Sequence, residues 1–343
     1  MSKARRFKLK QILCKTLMAG AISLLISSPA FSQRLDGFNV VATPDHPFGG
    51  AAAYQSLLGA KRLGATSVAI IPFLWQSSPS SSEVESGNDM LDDALRQAIR
   101  QARKAGFLVI VKPHVWVPQS WAGAVEQLTE QSWTSWFARY RREIERLGKI
   151  AFEEGADSFV IGTELAKTTL RPEWKEIIAA ARSVFPRKLI YVAHNMEEAE
   201  AVTFWPLLDI IGVSLYPPLG ADEDHTGRLA VMQAVAIRID TLANRIGKPV
   251  LVAEIGLRSA VGAAAKPWES AEERVALPDP KLQERVLADW LGVLKRPAVR
   301  GVLIWRWFTN PSAGGLDDTD FTVQGKPAEV MLTCAWASVC HSR

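Results

Sequence analysis

Eight short, nearly uninterrupted apolar runs recur along the chain, each separated from the next by a longer amphipathic stretch. They lie at Gly37 to Thr43, Ser67 to Gln76, Phe107 to Trp116, Ser158 to Leu165, Lys188 to Asn195, Ile210 to Pro217, Pro249 to Leu257 and Arg300 to Phe308. Interiors such as Val68-Ala69-Ile70-Ile71, Leu108-Val109-Ile110-Val111 and Leu189-Ile190-Tyr191-Val192 are β-branched or apolar throughout. Such runs suit parallel strands buried on both faces, where polar alternation is absent. Between them, Leu91, Leu95, Ala98, Ile99 and Ala102 share one helical face, as do Trp133, Trp136, Phe137, Tyr140, Ile144 and Leu147, and then Trp174, Ile177, Ile178, Ala181 and Val184. Ala105-Gly106 and Glu154-Gly155 place a helix-stopping glycine just ahead of a strand. Eight strands with intervening helices predict an α/β fold, a single (β/α)8 TIM barrel. An open doubly wound sheet would carry a Gly-x-Gly-x-x-Gly turn after its first strand; Thr43-Pro44-Asp45-His46-Pro47 stands there instead.

The first 32 residues are read apart from the fold. Lys3, Arg5, Arg6, Lys8, Lys10 and Lys15 precede an apolar run from Leu17 to Ile26 and a small-residue end at Ala30-Phe31-Ser32. This is the build of a secretory signal peptide cleaved before Gln33, with residues 33–343 as the mature domain in the periplasm or outside the cell. The apolar run is about half of the roughly 20 residues that a span requires, and no later segment is long enough. The leader holds six of the 40 basic residues and no acidic one, leaving 34 against 36. The basic character of the whole chain therefore belongs to the leader, and nucleic acid is not an expected partner. A monomer without a membrane span is expected. Cys14 leaves with the leader, and Cys334 with Cys340 is the expected disulfide in an oxidising compartment.

At the C-terminal end of nearly every expected strand the apolar pattern gives way to residues that ionise, hydrogen-bond or stack. They are Asp45 and His46, Trp75 and Gln76, His114 and Trp116, Glu164, His194 and Asn195, Tyr216, Glu254 with Arg258, and Trp305 with Trp307. The least patterned segments, Ser77 to Asn88 and Ala260 to Pro280, emerge on the same face. A barrel builds its active site from this ring of loops and strand ends.

Glu164 in Val160-Ile161-Gly162-Thr163-Glu164-Leu165 and Glu254 in Val252-Ala253-Glu254-Ile255-Gly256 interrupt otherwise apolar strands. An ionisable group in such a run is costly unless it is paired or functional. On the fourth and seventh strands the two carboxyls are expected to face each other across a bound substrate, as glycosidic hydrolysis requires. A retaining mechanism sets them about 5 to 5.5 Å apart, an inverting one roughly 6.5 to 9.5 Å. The charge of Glu254 is expected to raise the pKa of Glu164 and keep it protonated.

The fourth-strand Glu, the Tyr ending the sixth, the seventh-strand Glu and the Trp ending the eighth resemble the pattern of clan A retaining glycoside hydrolases. Asp36-Gly37-Phe38-Asn39-Val40, Lys112-Pro113-His114-Val115-Trp116, Gly162-Thr163-Glu164-Leu165, Ala253-Glu254-Ile255-Gly256 and Phe321-Thr322-Val323-Gln324-Gly325-Lys326-Pro327-Ala328 most resemble family 113, known for endo-β-1,4-mannanases. The resemblance implies that Glu164 is the acid/base, Glu254 the nucleophile, and Tyr216 the hydrogen-bond donor to that nucleophile. One departure is Thr163, where many clan members carry an Asn that holds the sugar 2-hydroxyl; Asn195 or His194 is the candidate substitute.

Further substrate contacts are expected from His114, Trp116, Asn195, His194, Trp305, Trp307, Trp75 and His46, with indole faces stacking on sugar rings. Trp133, Trp136 and Trp174 are expected in the core. Asp317-Asp318-Thr319-Asp320 lacks calcium-loop spacing, and there is no His-Glu-x-x-His run, so neither a metal nor an organic cofactor is expected. Two functions follow. One is an exported retaining endo-β-glycoside hydrolase acting on a mannan-like polysaccharide or the cell's own exopolysaccharide. The other is a carbohydrate-binding or polysaccharide-assembly protein that keeps the barrel without hydrolysis.

Overall fold

The structure, a computed structural model, describes residues 34–87 and 90–337. The expected leader and Cys340, the expected partner of Cys334, lie outside the described residues. In chain order the strands are β1 (Gly37–Val41), β2 (Ser67–Ile70), β3 (Phe73–Gln76), β4 (Val84–Ser86), β5 (Leu108–Val111), β6 (His114–Trp116), β7 (Ser158–Thr163), β8 (Lys188–His194), β9 (Ile210–Leu215), β10 (Val250–Ile255) and β11 (Val299–Phe308). The helices are α1 (Ala51–Arg62), α2 (Asp92–Lys104), α3 (Glu130–Glu153), α4 (Trp174–Val184), α5 (Asn195–Ala201), α6 (His225–Ile246), α7 (Pro280–Val293) and α8 (Pro327–Ala337).

Eight strands close a parallel barrel in the order β1-β11-β10-β9-β8-β7-β5-β2, so the expected TIM barrel is the fold. The apolar runs divide by alternation into two packed surfaces. Ala69, Ile110, Val160, Ile190, Val192, Leu251, Ala253 and Leu303 fill the barrel interior, while neighbours such as Val68, Ile70, Val109, Val111, Ile161 and Val252 pack outward under the helices. Both faces are dry, which is why the strands read as continuous apolar runs. Trp133, Trp136 and Trp174 are buried on the inner faces of α3 and α4.

Two expected strands are shorter than the apolar pattern. The runs ending at Gln76 and Trp116 break at Pro72 and Pro113, which lack the N–H a ladder needs. Beyond each proline the chain leaves the barrel, and the two tips pair with each other. β3 and β6 run parallel, with Trp75 opposite Trp116, and β4 adds an antiparallel edge. The result is a three-stranded ledge at the barrel mouth, carrying both indoles on exposed positions.

Candidate active site

Simple alternation would point Glu254 outward beside Val252. The register of β10 shifts between Val252 and Ile255 against β11, and between Val252 and Glu254 against β9. Ile255 takes the outward place and Glu254 turns into the mouth, as bulged strands commonly re-aim a side chain. β7 carries a matching shift between Val160 and Thr163. Glu164 follows it in the left-handed region at φ 57°, a conformation that costs a non-glycine residue of order 1 kcal/mol or more. Its backbone is held by N–H donation to Val192 O at 2.7 Å, and the Leu165 N–H donates to the Tyr191 hydroxyl at 3.1 Å.

Both oxygens of Glu254 accept hydrogen bonds. The Tyr216 hydroxyl donates to Oε1 at 2.8 Å, and the Lys112 ammonium donates to Oε2. Lys112 is wholly buried, donates to Asn39 Oδ1 at 2.8 Å, and lies 5.8 Å from the centre of the Trp305 ring. Asn39 in turn donates to Ala253 O at 3.0 Å, tying the cation's cradle to the strand that carries the carboxylate. A carboxylate that receives two donors, one of them charged, is fixed in orientation and has its charge met. Burial, with the adjoining Glu254 charge, raises the Tyr216 phenol well above its ordinary pKa, so it remains a donor.

Glu164 is held differently. His194 Nδ1 lies 3.6 Å from Glu164 Oε1. The orientation of the ring follows from Asn195, whose Oδ1 accepts from the Tyr216 N–H at 2.8 Å, leaving Nδ2 to face His194 Nε2 at 3.0 Å. A neutral ring thus accepts at Nε2 and carries its proton on Nδ1, toward Glu164. Burial pushes the Glu164 carboxyl up, but His194, helped by His114, outweighs it and brings the pKa down to about 2. The pKa of His194 is correspondingly raised, the Glu164 charge overcoming the effect of burial. This corrects the expectation that Glu254 keeps Glu164 protonated: the two imidazoles draw the carboxyl down instead. Burial lowers the pKa of His114 despite the pull of Glu164 and Glu254, giving a neutral ring beside both carboxylates.

The remaining expected contacts divide. Trp75 and Trp116 stand on the ledge, 40% and 48% exposed, with ring centres 6.1 Å apart. Trp305 is half-buried above Lys112. Trp307 does not share its face, because the register between β1 and β11 passes from Asn39–Trp305 to Val40–Trp307 and skips Arg306. Trp307 is buried against Phe38, and its indole N–H donates to Ser56 Oγ at 2.8 Å, so it belongs to the core and not to the mouth. His46 sits in the turn after β1, with Nδ1 3.4 Å from Thr43 Oγ1. Arg258 is fully buried and donates to the carbonyls of Thr319, Ser270 and Arg274, a loop clamp instead of a ligand. Gln76 is likewise structural, accepting from the Trp136 indole at 2.8 Å. Thr163 is buried and gives its hydroxyl proton to Pro113 O at 2.8 Å, while Asn195 braces Tyr216 and His194.

Three contributors escape the sequence reading: Asn39, Lys112 and Glu198. Lys112 directly follows the apolar strand Leu108–Val111, and a lysine in that place is the signal the sequence carries. Its partner lies 142 residues away. Glu198 accepts from the Tyr191 hydroxyl at 2.6 Å and the His194 N–H at 2.7 Å, bracing the backbone of the acid pair from behind. Among the described residues, no group of His, Cys, Asp and Glu side chains is arranged to hold a metal ion.

A search of curated proteins by sequence finds no match. Solved structures are similar over most of the chain. The β-mannanase AaManA of Alicyclobacillus acidocaldarius, a family 113 enzyme seen in complex with ManMIm, is 21% identical with a TM-score of 0.81, the alignment covering 90% of this chain and 98% of that one. A family 113 β-1,4-mannanase, also seen in a complex, is 25% identical with a TM-score of 0.78, covering 90% of this chain and 100% of that one. The β-glucuronidase of Ruminococcus gnavus shares the barrel alone, at 16% identity and a TM-score of 0.59 over 89% of this chain and 50% of that one. The family model described as Glycoside Hydrolase Family 113 matches residues 39–326, a span that holds both carboxylates and their partners. On this match and this barrel, the chain belongs to glycoside hydrolase family 113.

Proposed function

We propose that the chain is an exported, retaining endo-β-glycoside hydrolase that cleaves a β-1,4-linked mannan-type polysaccharide by double displacement. The observation that carries this reading is the unequal treatment of the two carboxyls. Glu254 has a donor on each oxygen, as suits an oriented nucleophile, whereas Glu164 faces a titratable ring, as suits a group that exchanges a proton.

In the first step a Glu254 oxygen attacks the anomeric carbon, forming the glycosyl ester as the bond to the leaving oxygen breaks. Glu164, in its protonated form, gives its proton to that oxygen. In the second step water attacks the anomeric carbon, gives its proton to Glu164, and restores the Glu254 carboxylate. The substrate class is taken from the two β-mannanases to which the chain is similar. The exposed indoles of Trp75 and Trp116 support it by giving a long neutral glycan an apolar ledge. Export rests on the basic and apolar pattern of residues 1–32.

The test is a screen of the purified protein on manno-, gluco- and xylo-oligosaccharides, with Glu164→Ala and Glu254→Ala alongside. Cleavage of the β-1,4-manno series, a β-anomer as first product by proton NMR, and a loss of at least about 1,000-fold in both variants are expected. An α-anomer first product overturns the retaining assignment, and variants as active as the parent remove these residues from the chemistry.

A further inference from the structure

Strand alternation sets an inward-facing polar layer at the top of the barrel. On β8, Ile190 and Val192 point into the barrel, so His194 does too; on β9, Ile210 is inward, and Gly212 and Ser214 follow at the period of two. Ser214 is level with His194 on one side and with Glu254 on the other. Its side chain is fully buried, the one hydroxyl in the apolar run Ile210–Leu215.

Other polar members of this layer are bonded, Lys112 to both Asn39 and Glu254. Ser214 is not. Among the described residues, its hydroxyl is one of four buried side-chain atoms without a hydrogen-bond partner. Two of the four, Gln127 Oε1 and Gln283 Oε1, belong to amides whose nitrogen is bonded elsewhere. The other two, Ser214 Oγ and His194 Nδ1, flank a single group, Glu164. His194 Nδ1 stands 3.6 Å from it, beyond bonding distance, and the Ser214 hydroxyl is near enough to draw the carboxyl's pKa down.

A buried hydroxyl left unbonded is costly to the fold, and one beside a reacting carboxyl calls for a use. The reaction supplies one. A protonated Glu164 turns its O–H to the leaving oxygen; once that proton is gone the group is acceptor-only, and donors on the strand wall can hold it for the attack of water. We propose that Ser214 is a positioning residue, whose hydroxyl donates to ionised Glu164 and holds it as the base for the water that releases the glycosyl ester. This rests on the assignment of Glu164 as the acid/base. Glu164 is also faced by His194 from β8 and His114 from β6, with Glu198 of α5 behind and Glu254 across the mouth; all four are kept in the Ser214 variants.

The test uses dinitrophenyl β-mannobioside, whose leaving group departs without an acid, so that release of the glycosyl ester limits kcat while kcat/KM reports its formation. In Ser214→Ala, kcat is expected to fall about tenfold with kcat/KM within about twofold of the parent. The urea midpoint is expected to hold or rise, because an unbonded hydroxyl leaves the barrel. Ser214→Thr, which keeps the hydroxyl, is expected to keep most of the parent kcat. Without any substrate, the Glu164 midpoint followed by carbon-13 NMR is expected to rise in Ser214→Ala, since a donor to the ionised form is lost. A parent-like kcat or an unmoved Glu164 midpoint overturns the proposal. So does an equal loss of kcat and kcat/KM, or a lowered urea midpoint, either being the mark of a hydroxyl that serves the fold. Glu164→Ala tests the underlying assignment separately. With the acid/base gone, added azide is expected to attack the anomeric carbon in place of water, forming the glycosyl azide, freeing the Glu254 carboxylate and restoring turnover; without that rescue the assignment itself fails.

Discussion

At the scale of single residues, the acid pair shows how one neighbour decides a titration. Glu164 is under opposed influences, burial raising its pKa and His194 lowering it, and the imidazole prevails with the carboxyl at about 2. In His194→Leu the raising influence remains and its main opponent is gone. The Glu164 carboxyl, followed by carbon-13 NMR, is therefore expected to move from well below 4.5 in the parent to above 4.5 in the variant. The linkage has a definite sign. With the folded pKa of Glu164 below the unfolded one, its contribution is present above about pH 4.5 and is lost as pH falls through about 2, while that of His194, whose pKa is raised, is lost as pH rises through its folded value; in the variant both disappear. An unchanged midpoint would assign the low value to some other group.

At the scale of elements, the short helix α5 carries the support for that pair. Its Glu198 is buried, accepts from the Tyr191 hydroxyl and the His194 N–H, and has its pKa raised to about 7, chiefly by burial. A carboxyl raised in the folded state holds its proton more tightly there. Its contribution is full below about pH 4.5, declines as pH rises toward 7, and is lost above that, about 3 kcal/mol in all. Urea midpoints from pH 5 to 8 are expected to fall in the parent and to flatten in Glu198→Gln; parallel slopes would refute the assignment. The strands teach a related lesson. Pro72 and Pro113 were visible in the sequence, yet the apolar pattern runs through both, and only the pairing of β3 with β6 shows that the tips form a separate sheet. Trp305 and Trp307 fail as a pair for the same kind of reason: a register skip is a property of two strands together.

At the scale of the whole molecule, barrel closure depends on what lies at the end opposite the mouth. Leu35 fills that end, packed with the interior residues, and its N–H donates to Arg300 O at 3.0 Å. Asp36 Oδ1 accepts from the Val302 N–H at 3.0 Å, and Asp36 O accepts from the Thr66 N–H at 2.8 Å, so the segment before β1 ties β11 to the approach of β2. Gly301 allows this approach, since a Cβ there would lie 2.4 Å from the Leu35 carbonyl. Gly301→Ala must push backbone from backbone, and a loss of about 1–3 kcal/mol or more in chemical denaturation is expected. An unchanged midpoint would mean that this plug moves aside freely and does not help to close the barrel.

The chain's own order of residues determined the barrel and the two carboxylates. Two-faced burial leaves an apolar run that needs no partner to be recognised, and a glutamate inside such a run is conspicuous by its desolvation cost. Beyond Tyr216, which the resemblance implied, only the tertiary structure decided which groups gather about those carboxylates and their partners. Lys112, Asn39 and Glu198 acquire their roles through contacts between different strands and loops, and Trp307 loses its expected role through strand register. Periodicity reports which face of an element is buried; it carries no information on what meets that face across the barrel.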